Sequence, residues 1–273
     1  MKLFTWFTAT LLSVLLLLPA STTYAASYTL TTTAQKNFDK LTKESEPTIT
    51  DKLTIGYNQL QTNRKQELEL EQQTKKLKSN NQAKEKLVRS AISQLDNDHI
   101  QRLNSEVAQV TKKYDPIIKT YEQQRQQLTI IKQMKPANKE AVKVANVALA
   151  LSKAAADQAK QIIRNKKAEL TKAKAAATAR KKELRAMLTS GSNLLSNIKN
   201  ANSTISKQNK LFTDEGKLLT NALRLQSAKQ ALNNLQTMNT LSTSINGARK
   251  KIVQYEQEYE QLLDKINNLI VKT

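Results

Sequence analysis

A long ladder of apolar residues, spaced alternately by three and four, occupies residues 100–131. This spacing puts the side chains on one stripe of a helix, which is the seam that a coiled coil buries against a partner helix. Only Gln124 interrupts the ladder, and a second ladder of the same kind lies near the end of the chain. The predicted seam residues are Ile100, Leu103, Val107, Val110, Tyr114, Ile117, Tyr121, Leu128, Ile131, Ile252, Tyr255, Tyr259, Leu262, Ile266 and Leu269.

The composition favours long helices over a compact globule. The 273 residues include only four Gly, four Pro and no Cys, which leaves few turns and no disulfides. Ala, Leu, Lys, Gln and Glu are abundant, and these residues form helices most readily. We therefore predict an all-α fold, an elongated antiparallel coiled coil or long helical bundle.

Pro116 stands inside the first ladder and has two interpretations. Asp115 and Pro116 could be the N-cap and first residue of a new helix, because proline is well tolerated there. However, Tyr114 and Ile117 keep the three-four phase on either side of the proline. A chain reversal would not preserve that phase, so we predict a single helix, bent at residues 112–116, with Pro116 on its outer side.

The other predicted boundaries of domains and helices follow from breaks in the same pattern. Residues 26–47 form a polar lead-in with a short helix, and residues 48–273 form the helical domain. The phase slips by one between Leu95 and Ile100, which we interpret as a local change of winding within one helix. Reversals are expected at residues 135–138 and 189–192, and a break or a tight corner is expected at residues 213–216. The predicted helices span about 48–134, 138–188, 193–213 and 217–271.

Residues 1–25 have the pattern of a secretory signal peptide. Lys2 is followed by an uncharged apolar run over residues 3–18, and Thr23 and Ala25 are small residues of the kind that signal peptidase reads. The alternative is an uncleaved anchor, for which the run is short. We expect cleavage after Ala25 and a mature protein that is secreted or associated with the cell envelope, with no transmembrane segment.

No residue pattern predicts catalysis, a cofactor or a metal. His99 is the single histidine, beside Asp96 and Asp98, and without cysteines it is better explained as a polar residue at the phase slip. The carboxylates at Glu67, Glu69, Glu71 and at Glu256, Glu258, Glu260 are spaced by two, which spreads them around a helix. We interpret them as solvated positions that pair with lysines, and we expect no enzyme.

The basic charge is the strongest functional signal. Residues 132–185 carry fifteen Lys or Arg against four acidic residues, a net charge of +11, whereas the whole chain carries +21. Such a surface attracts polyanions through its field and through counterion release. The alternative is a solvated helix face that only confers solubility. The candidate polyanion-binding residues are Arg164, Lys166, Lys167, Lys172, Lys174, Arg180, Lys181, Lys182 and Arg185.

The basic charge is compatible with several classes of binding partner. Nucleic acid is opposed by the predicted export and by the lack of aromatic residues for base stacking between Tyr121 and Phe212. An anionic cell-wall polymer or lipid headgroups are the partners that an exported protein meets first. Pore formation is disfavoured, because residues 144–152 are uncharged over only nine positions. The second hypothesis is a helical partner protein that assembles with itself or with another coiled-coil protein, with incidental charge.

Overall fold

The computed structural model of the protein describes residues 29–134 and 139–271. These residues form long helices and no strand, which confirms the prediction of an all-α helical bundle. The helices are α1 Thr32–Glu44, α2 Pro47–Gln94, α3 Asn97–Gln133, α4 Lys139–Ser190, α5 Ser192–Arg224 and α6 Ala228–Val271. The predicted signal peptide and the predicted reversal at residues 135–138 lie outside the described residues.

The first two helices begin and end at residues that suit those positions. Thr31 caps α1, because its hydroxyl accepts a hydrogen bond from the Ala34 amide at 3.2 Å. Ser45 adopts an extended conformation that ends α1. Pro47 is then the first residue of α2, where its missing amide hydrogen costs nothing. The short helix expected in the lead-in is therefore present.

The prediction of one helix over residues 48–134 is wrong. Helix α2 ends at Gln94 and α3 begins at Asn97, with Asp96 between them in the left-handed region at φ 61°. Asp is one of the few residues other than glycine that adopts this conformation readily. The phase slip after Leu95 therefore marks a helix boundary rather than a change of winding.

Helix α3 passes through Pro116 without interruption, as predicted. Pro116 is exposed, so the lost hydrogen bond and the displaced carbonyl lie on the solvent side. The Thr120 hydroxyl donates to the Pro116 carbonyl at 2.9 Å in the turn that follows. The alternative, a new helix starting at Asp115 and Pro116, is excluded.

The predicted break at residues 213–216 is also wrong, because α5 continues through it to Arg224. Phe212, Gly216 and Leu219 are all buried and extend the inner stripe across the expected corner. Tertiary burial here overrides the turn-like residues of the segment. The reversal lies at residues 225–227, where Gln226 has a positive φ of 52° and the Ser227 amide donates to the Ala222 carbonyl.

One compact unit contains residues 29–76 and Asn197–Tyr255. Helices α2 and α6 run parallel in it, since Asn239 donates to the Gly56 carbonyl and Asn246 donates to the Asn63 carbonyl, both at 2.8 Å. Helices α5 and α6 pack as antiparallel neighbours through Ile205, Ile245 and Ile252. The main core of this unit is built from Leu30, Ala34, Phe38, Leu41, Leu53, Leu60, Phe212, Leu219, Ala222, Leu223, Ala231, Leu235 and Met238.

The other compact unit contains residues 77–134, 139–196 and 256–271. Helices α3 and α4 run antiparallel. Lys181 donates a hydrogen bond to Asn97 at 3.1 Å, and the earlier Lys166 forms an ion pair with the later Glu106 at 2.7 Å. The core where α2, α4 and α6 meet contains Val88, Ile92, Leu95, Leu184, Leu188, Tyr259, Leu263 and Ile266.

The predicted seam residues differ in their burial. Ile117 and Leu269 are exposed, at 37% and 38%. On α6, Glu256 and Leu263 lie deeper than the predicted Tyr255 and Leu262. The remaining predicted seam residues are buried or half-buried: Ile100, Leu103, Val107, Val110, Tyr114, Tyr121, Leu128, Ile131, Ile252, Tyr259 and Ile266.

Candidate binding surface on helix α4

Six of the nine candidate polyanion-binding residues are exposed on α4. Within the described residues, none of the six forms an ion pair, so their charges face solvent without acidic partners. The six residues, named here the basic face, are Arg164, Lys167, Lys172, Lys174, Lys182 and Arg185.

The other three candidates are engaged inside the protein. Lys166 lies between Glu106 on α3 and Glu169 on α4, at 2.7 and 2.8 Å. The hydrogen bond to Glu106, followed by the one to Glu169, raises the pKa of Lys166 above its ordinary value. This cation therefore links α3 to α4 rather than facing a ligand.

Arg180 and Lys181 bind backbone and amide oxygens at the carboxyl end of α4. Arg180 Nη2 donates to the Leu269 carbonyl at 2.6 Å, and Lys181 Nζ donates to the Ser93 carbonyl at 2.9 Å. Such contacts satisfy carbonyls in the last turns of α6 and α2. We assign both residues a structural role, which separates them from the basic face.

Sequence reasoning missed the regular repeat in this region. Five lysines recur every seven residues along α4, which places them on one row beside the buried positions Ala156, Ile163 and Ala177. At about 1.5 Å of rise per residue, neighbouring lysines lie roughly 10 Å apart. The row consists of Lys153, Lys160, Lys167, Lys174 and Lys181.

Two members of this row also contact the protein itself. Lys160 Nζ lies 5.5 Å from the centre of the Tyr121 ring on α3, which is a cation–π distance. Lys181 is the donor to Ser93 described above. Lys153, Lys167 and Lys174 are exposed and are the members of the row that a ligand can reach.

The acidic residues that we interpreted as solvated include three buried carboxylates. Glu67 is fully buried, while Glu71 and Glu256 are 7% and 3% exposed. Arg249 donates to Glu67 Oε1 at 3.1 Å and to Glu71 Oε2 at 3.2 Å, and Arg64 also pairs with Glu67. These four residues, Arg64, Glu67, Glu71 and Arg249, form the buried ion network of the first unit.

The surroundings of Arg64 explain how its charge is kept inside the bundle. Its guanidinium lies 4.6 Å from the centre of the Phe212 ring and also pairs with Glu67. Burial lowers the pKa of Arg64, and the negative charge of Glu67 acts in the opposite direction. The network holds two positive and two negative charges in contact, which is the condition for stable burial.

Glu256 is buried with a single amide partner in the second unit. Asn81 Nδ2 donates both to the Glu256 carbonyl and to its Oε2, each at 2.8 Å. Burial raises the pKa of Glu256, while the hydrogen bond from Asn81 and the charge of Lys78 lower it. Like the ion network, this pair is buried between helices.

Neither a metal site nor a membrane span is present in the part of the chain that the structure describes. Within residues 29–134 and 139–271, no group of three or more His, Cys, Asp or Glu side chains is placed to hold a metal ion, and His99 is exposed. Over the same ranges, no helix combines the length and apolar character needed to cross a membrane. The basic face remains the surface on which a binding hypothesis can be built.

Comparisons of this chain with models of known protein families, with curated proteins and with solved structures find no match. Its function is therefore inferred from its residues and their geometry.

Proposed function

We propose that the protein is an exported helical-bundle protein without enzymatic activity, which binds anionic polymers at the cell envelope or outside the cell. The observation that carries the proposal is the basic face of α4, six exposed cations without acidic partners among the described residues. A polyanion gains affinity from such a surface by releasing its condensed counterions. No cofactor is invoked, and an anionic cell-wall polymer is the partner that an exported protein meets first.

Two variants with equal charge change test this proposal. The face variant replaces Arg164, Lys167, Lys174, Lys182 and Arg185 by Gln, which forms helices nearly as well as lysine. The control variant replaces five exposed lysines of the other unit by Gln, so that both proteins lose the same charge. The control residues are Lys52, Lys65, Lys76, Lys250 and Lys251.

Binding to poly(glycerol phosphate) should be measured at two salt concentrations, with double-stranded DNA as a second probe. We expect the face variant to lose most of its affinity, and its salt slope to fall by about 0.7 per lost phosphate contact. The control variant should bind nearly as the wild type does. Equal losses in both variants would mean diffuse attraction by net charge, and absence of wild-type binding would also overturn the proposal.

Export is a separate part of the proposal and has its own test. The apolar run at residues 3–18 and the small residues Thr23 and Ala25 support cleavage after Ala25. Intact mass of the protein recovered from culture medium should match a chain that begins at Ala26. Recovery only in membranes, with Met1 retained, would contradict it.

The helical-partner hypothesis has one observation in its favour. Leu211, Leu218 and Leu225 recur every seven residues and are 56%, 53% and 59% exposed. A row of exposed leucines at this spacing suits a second helix. Sedimentation equilibrium over a range of concentrations, on the wild type and on a variant with all three leucines replaced by Gln, would test it. A constant monomer mass in both proteins would rule out self-assembly through this row.

A further inference from the structure

Helices α3 and α4 pack side by side in the second unit, and contacts between them identify the two sides of this pair. On one side, Lys181 Nζ on α4 donates to Asn97 on α3 at 3.1 Å. On the other side, Lys166 pairs with Glu106 at 2.7 Å. Asn97 and Glu106 are nine positions apart, which turns their side chains about 180° from each other around α3.

The seven-residue repeat extends the side of Asn97 along the pair. In an antiparallel pair, a step of seven residues forward on α3 matches a step of seven back on α4. Asn104 therefore lies beside Lys174, and Thr111 lies beside Lys167. Two arginines of α4, three positions before Lys167 and eleven after Lys174, lie next to the same row. The residues named here the α3–α4 flank are Asn104, Thr111, Arg164, Lys167, Lys174 and Arg185.

The carboxylates near the flank lie on another side of the pair, precede the flank or are already paired. Glu169 and Glu183 each follow a lysine of the seven-residue row by two positions, which turns them about 160° away from it around α4. Asp157 precedes the flank by one repeat. Asp115, further along α3, pairs with Lys119 at 2.7 Å. The four cations of the flank therefore keep their charge free of acidic partners among the described residues.

The length and straightness of the flank indicate which polyanion fits it. Positions 164 to 185 extend along α4 for about 32 Å, at about 1.5 Å per residue. Over this distance each strand of B-DNA winds nearly once around the duplex, whose turn is about 34–36 Å, so its phosphates leave a straight row. Tyr114 and Tyr121 of α3 are half-buried in the seam, which disfavours stacking with bases. A single extended chain of phosphates without bases satisfies both conditions.

We propose that the α3–α4 flank binds one extended chain of a polyol phosphate, whose phosphates contact the four cations and whose hydroxyls meet Asn104 and Thr111. The inference rests on the proposed binding of anionic polymers. It adds α3 to the site, restricts binding to one side of the helix pair and names the class of polymer. Each phosphate that a flank cation neutralises releases a counterion, which gives the binding its salt dependence.

The first experiment compares two variants that each lose two positive charges. The flank variant carries Lys167→Gln and Lys174→Gln. The control carries Arg102→Gln and Lys113→Gln, at two exposed positions on the other side of α3. Affinity of the flank variant for poly(glycerol phosphate) should fall at least about tenfold at about 0.1 M salt, and its salt slope should fall by about 0.7 per lost contact. The control should stay within about threefold of the wild type, because its charges act only at a distance.

A second experiment tests the contribution of α3. Asn104→Asp places a carboxylate beside Lys174 with almost no change of shape, and it should lower the affinity at least about threefold. Gln109→Glu adds the same charge at an exposed position on the other side of α3 and should leave the affinity unchanged. If the two variants bind equally well, α3 is not part of the site and the inference is wrong. Circular dichroism of each variant checks that it remains helical.

Two further probes test the class of polymer. Duplex DNA should lose less affinity in the flank variant than poly(glycerol phosphate) does. Oligomers of glycerol phosphate that are shorter than the flank, about 32 Å, should bind more weakly than the polymer at equal phosphate concentration. A duplex that depends on Lys167 and Lys174 as strongly as the polymer does would overturn the assignment. So would a single glycerol phosphate that competes as well as the polymer.

The outcomes separate this inference from the proposed function. If the flank variant binds as the wild type does while the five-residue face variant loses binding, the proposed function stands and the flank inference fails. If the flank variant and its α3 control lose affinity equally, the attraction is diffuse and the flank inference fails. If the wild type does not bind poly(glycerol phosphate), the proposed function fails and the flank inference fails with it.

Discussion

Arg249 on α6 donates hydrogen bonds from Nε and Nη2 to Glu67 Oε1 on α2, at 3.3 and 3.1 Å, and Glu67 is fully buried. The two residues are 182 positions apart, yet they occupy the inner sides of two parallel helices. A shift of either helix by one turn would separate Arg249 from Glu67 and Glu71 and leave its buried charge without these partners, at a large cost in free energy. We infer that the ion network sets the register of α2 against α6.

Replacing Glu67 by Ala should therefore destabilise the protein far more than a typical surface change. Arg64 and Arg249 would remain buried with only Glu71 to balance them, and breaking a buried pair costs about 3–5 kcal/mol. The exposed Glu69 provides the matched control, because Glu69→Ala should change the free energy of unfolding by less than about 0.5 kcal/mol. Urea unfolding followed by circular dichroism measures both. Similar effects at the two positions would contradict a structural role for the network.

Removing all four charges together should have the opposite result. In a variant with Arg64→Met, Glu67→Leu, Glu71→Leu and Arg249→Met, no buried charge loses its partner. Replacement of buried ion pairs by apolar residues of similar volume is often neutral or stabilising, by about 1–4 kcal/mol. The free energy of unfolding should therefore equal or exceed that of the wild type. A loss as large as that of Glu67→Ala would mean that the arginines hold the bundle through contacts other than ion pairing.

Glu256 should make stability depend on pH. Burial raises its pKa in the folded protein above the ordinary value of 4.5. Between 4.5 and the raised value the folded protein holds a proton that the unfolded chain has lost, so the free energy of unfolding falls as pH rises through this window. Glu256→Gln stays neutral and keeps an oxygen for Asn81, so its stability relative to the wild type should increase as pH rises. Urea unfolding at pH 4 and pH 8 checks this.

A control separates the buried carboxylate from the simple loss of a negative charge. Glu183 is exposed on α4, and Glu183→Gln changes the net charge by the same amount as Glu256→Gln. If both variants gained equally at high pH, the effect would come from net charge, and the argument from burial of Glu256 would be wrong.

The sequence predicted the helices well where apolar residues follow the three-four spacing. It predicted the continuity of α3 through Pro116, because Tyr114 keeps the phase up to the proline. It did not predict the two boundaries at Asp96 and Gln226, where single residues with positive φ reverse or break the chain. Such backbone conformations depend on local packing and leave only a weak signature in residue type.

The inner side of α2 was harder to predict because its central residues are polar. Every seventh residue along this side is first a leucine, then Glu67, Thr74 and Asn81, and then an aliphatic residue again. A search for apolar residues loses the stripe at these positions, although the period itself never changes. On α6 the corresponding repeat is Leu235, Ser242, Arg249, Glu256 and Leu263, all buried. Searching for a period of seven irrespective of polarity would have located the ion network and the Glu256 site.

The basic face shows a different limit. Net charge and position identified α4, but only the contacts separate the solvent-facing cations from Lys166, Arg180 and Lys181. The sequence does not indicate which basic side chain donates a hydrogen bond to a carbonyl of another helix, because that depends on how α4 packs.

Gly191 and Gly247 should respond in opposite directions to substitution by alanine. At Gly191, between α4 and α5, an added Cβ would lie 2.6 Å from Tyr259 Cε2 and 3.0 Å from Leu262 Cδ2. The φ of Gly191 is not positive, so close approach of the ring, rather than backbone freedom, requires glycine here. The Tyr259 hydroxyl is fixed by Glu85, and burial together with this hydrogen bond raises the pKa of Tyr259. Because the ring cannot move freely, we expect Gly191→Ala to cost about 1–3 kcal/mol.

Gly247 lies inside α6 with no atom within 4 Å of the position of an added Cβ. Alanine there lowers the entropy of the unfolded chain and adds no contact, so Gly247→Ala should stabilise the protein by about 0.5–1 kcal/mol. Thermal and urea unfolding of the two variants beside the wild type provide the measurement. Stabilisation by Gly191→Ala would show that the Tyr259 ring can shift, and a loss at Gly247 would show that α6 is covered at that position by a contact with another molecule.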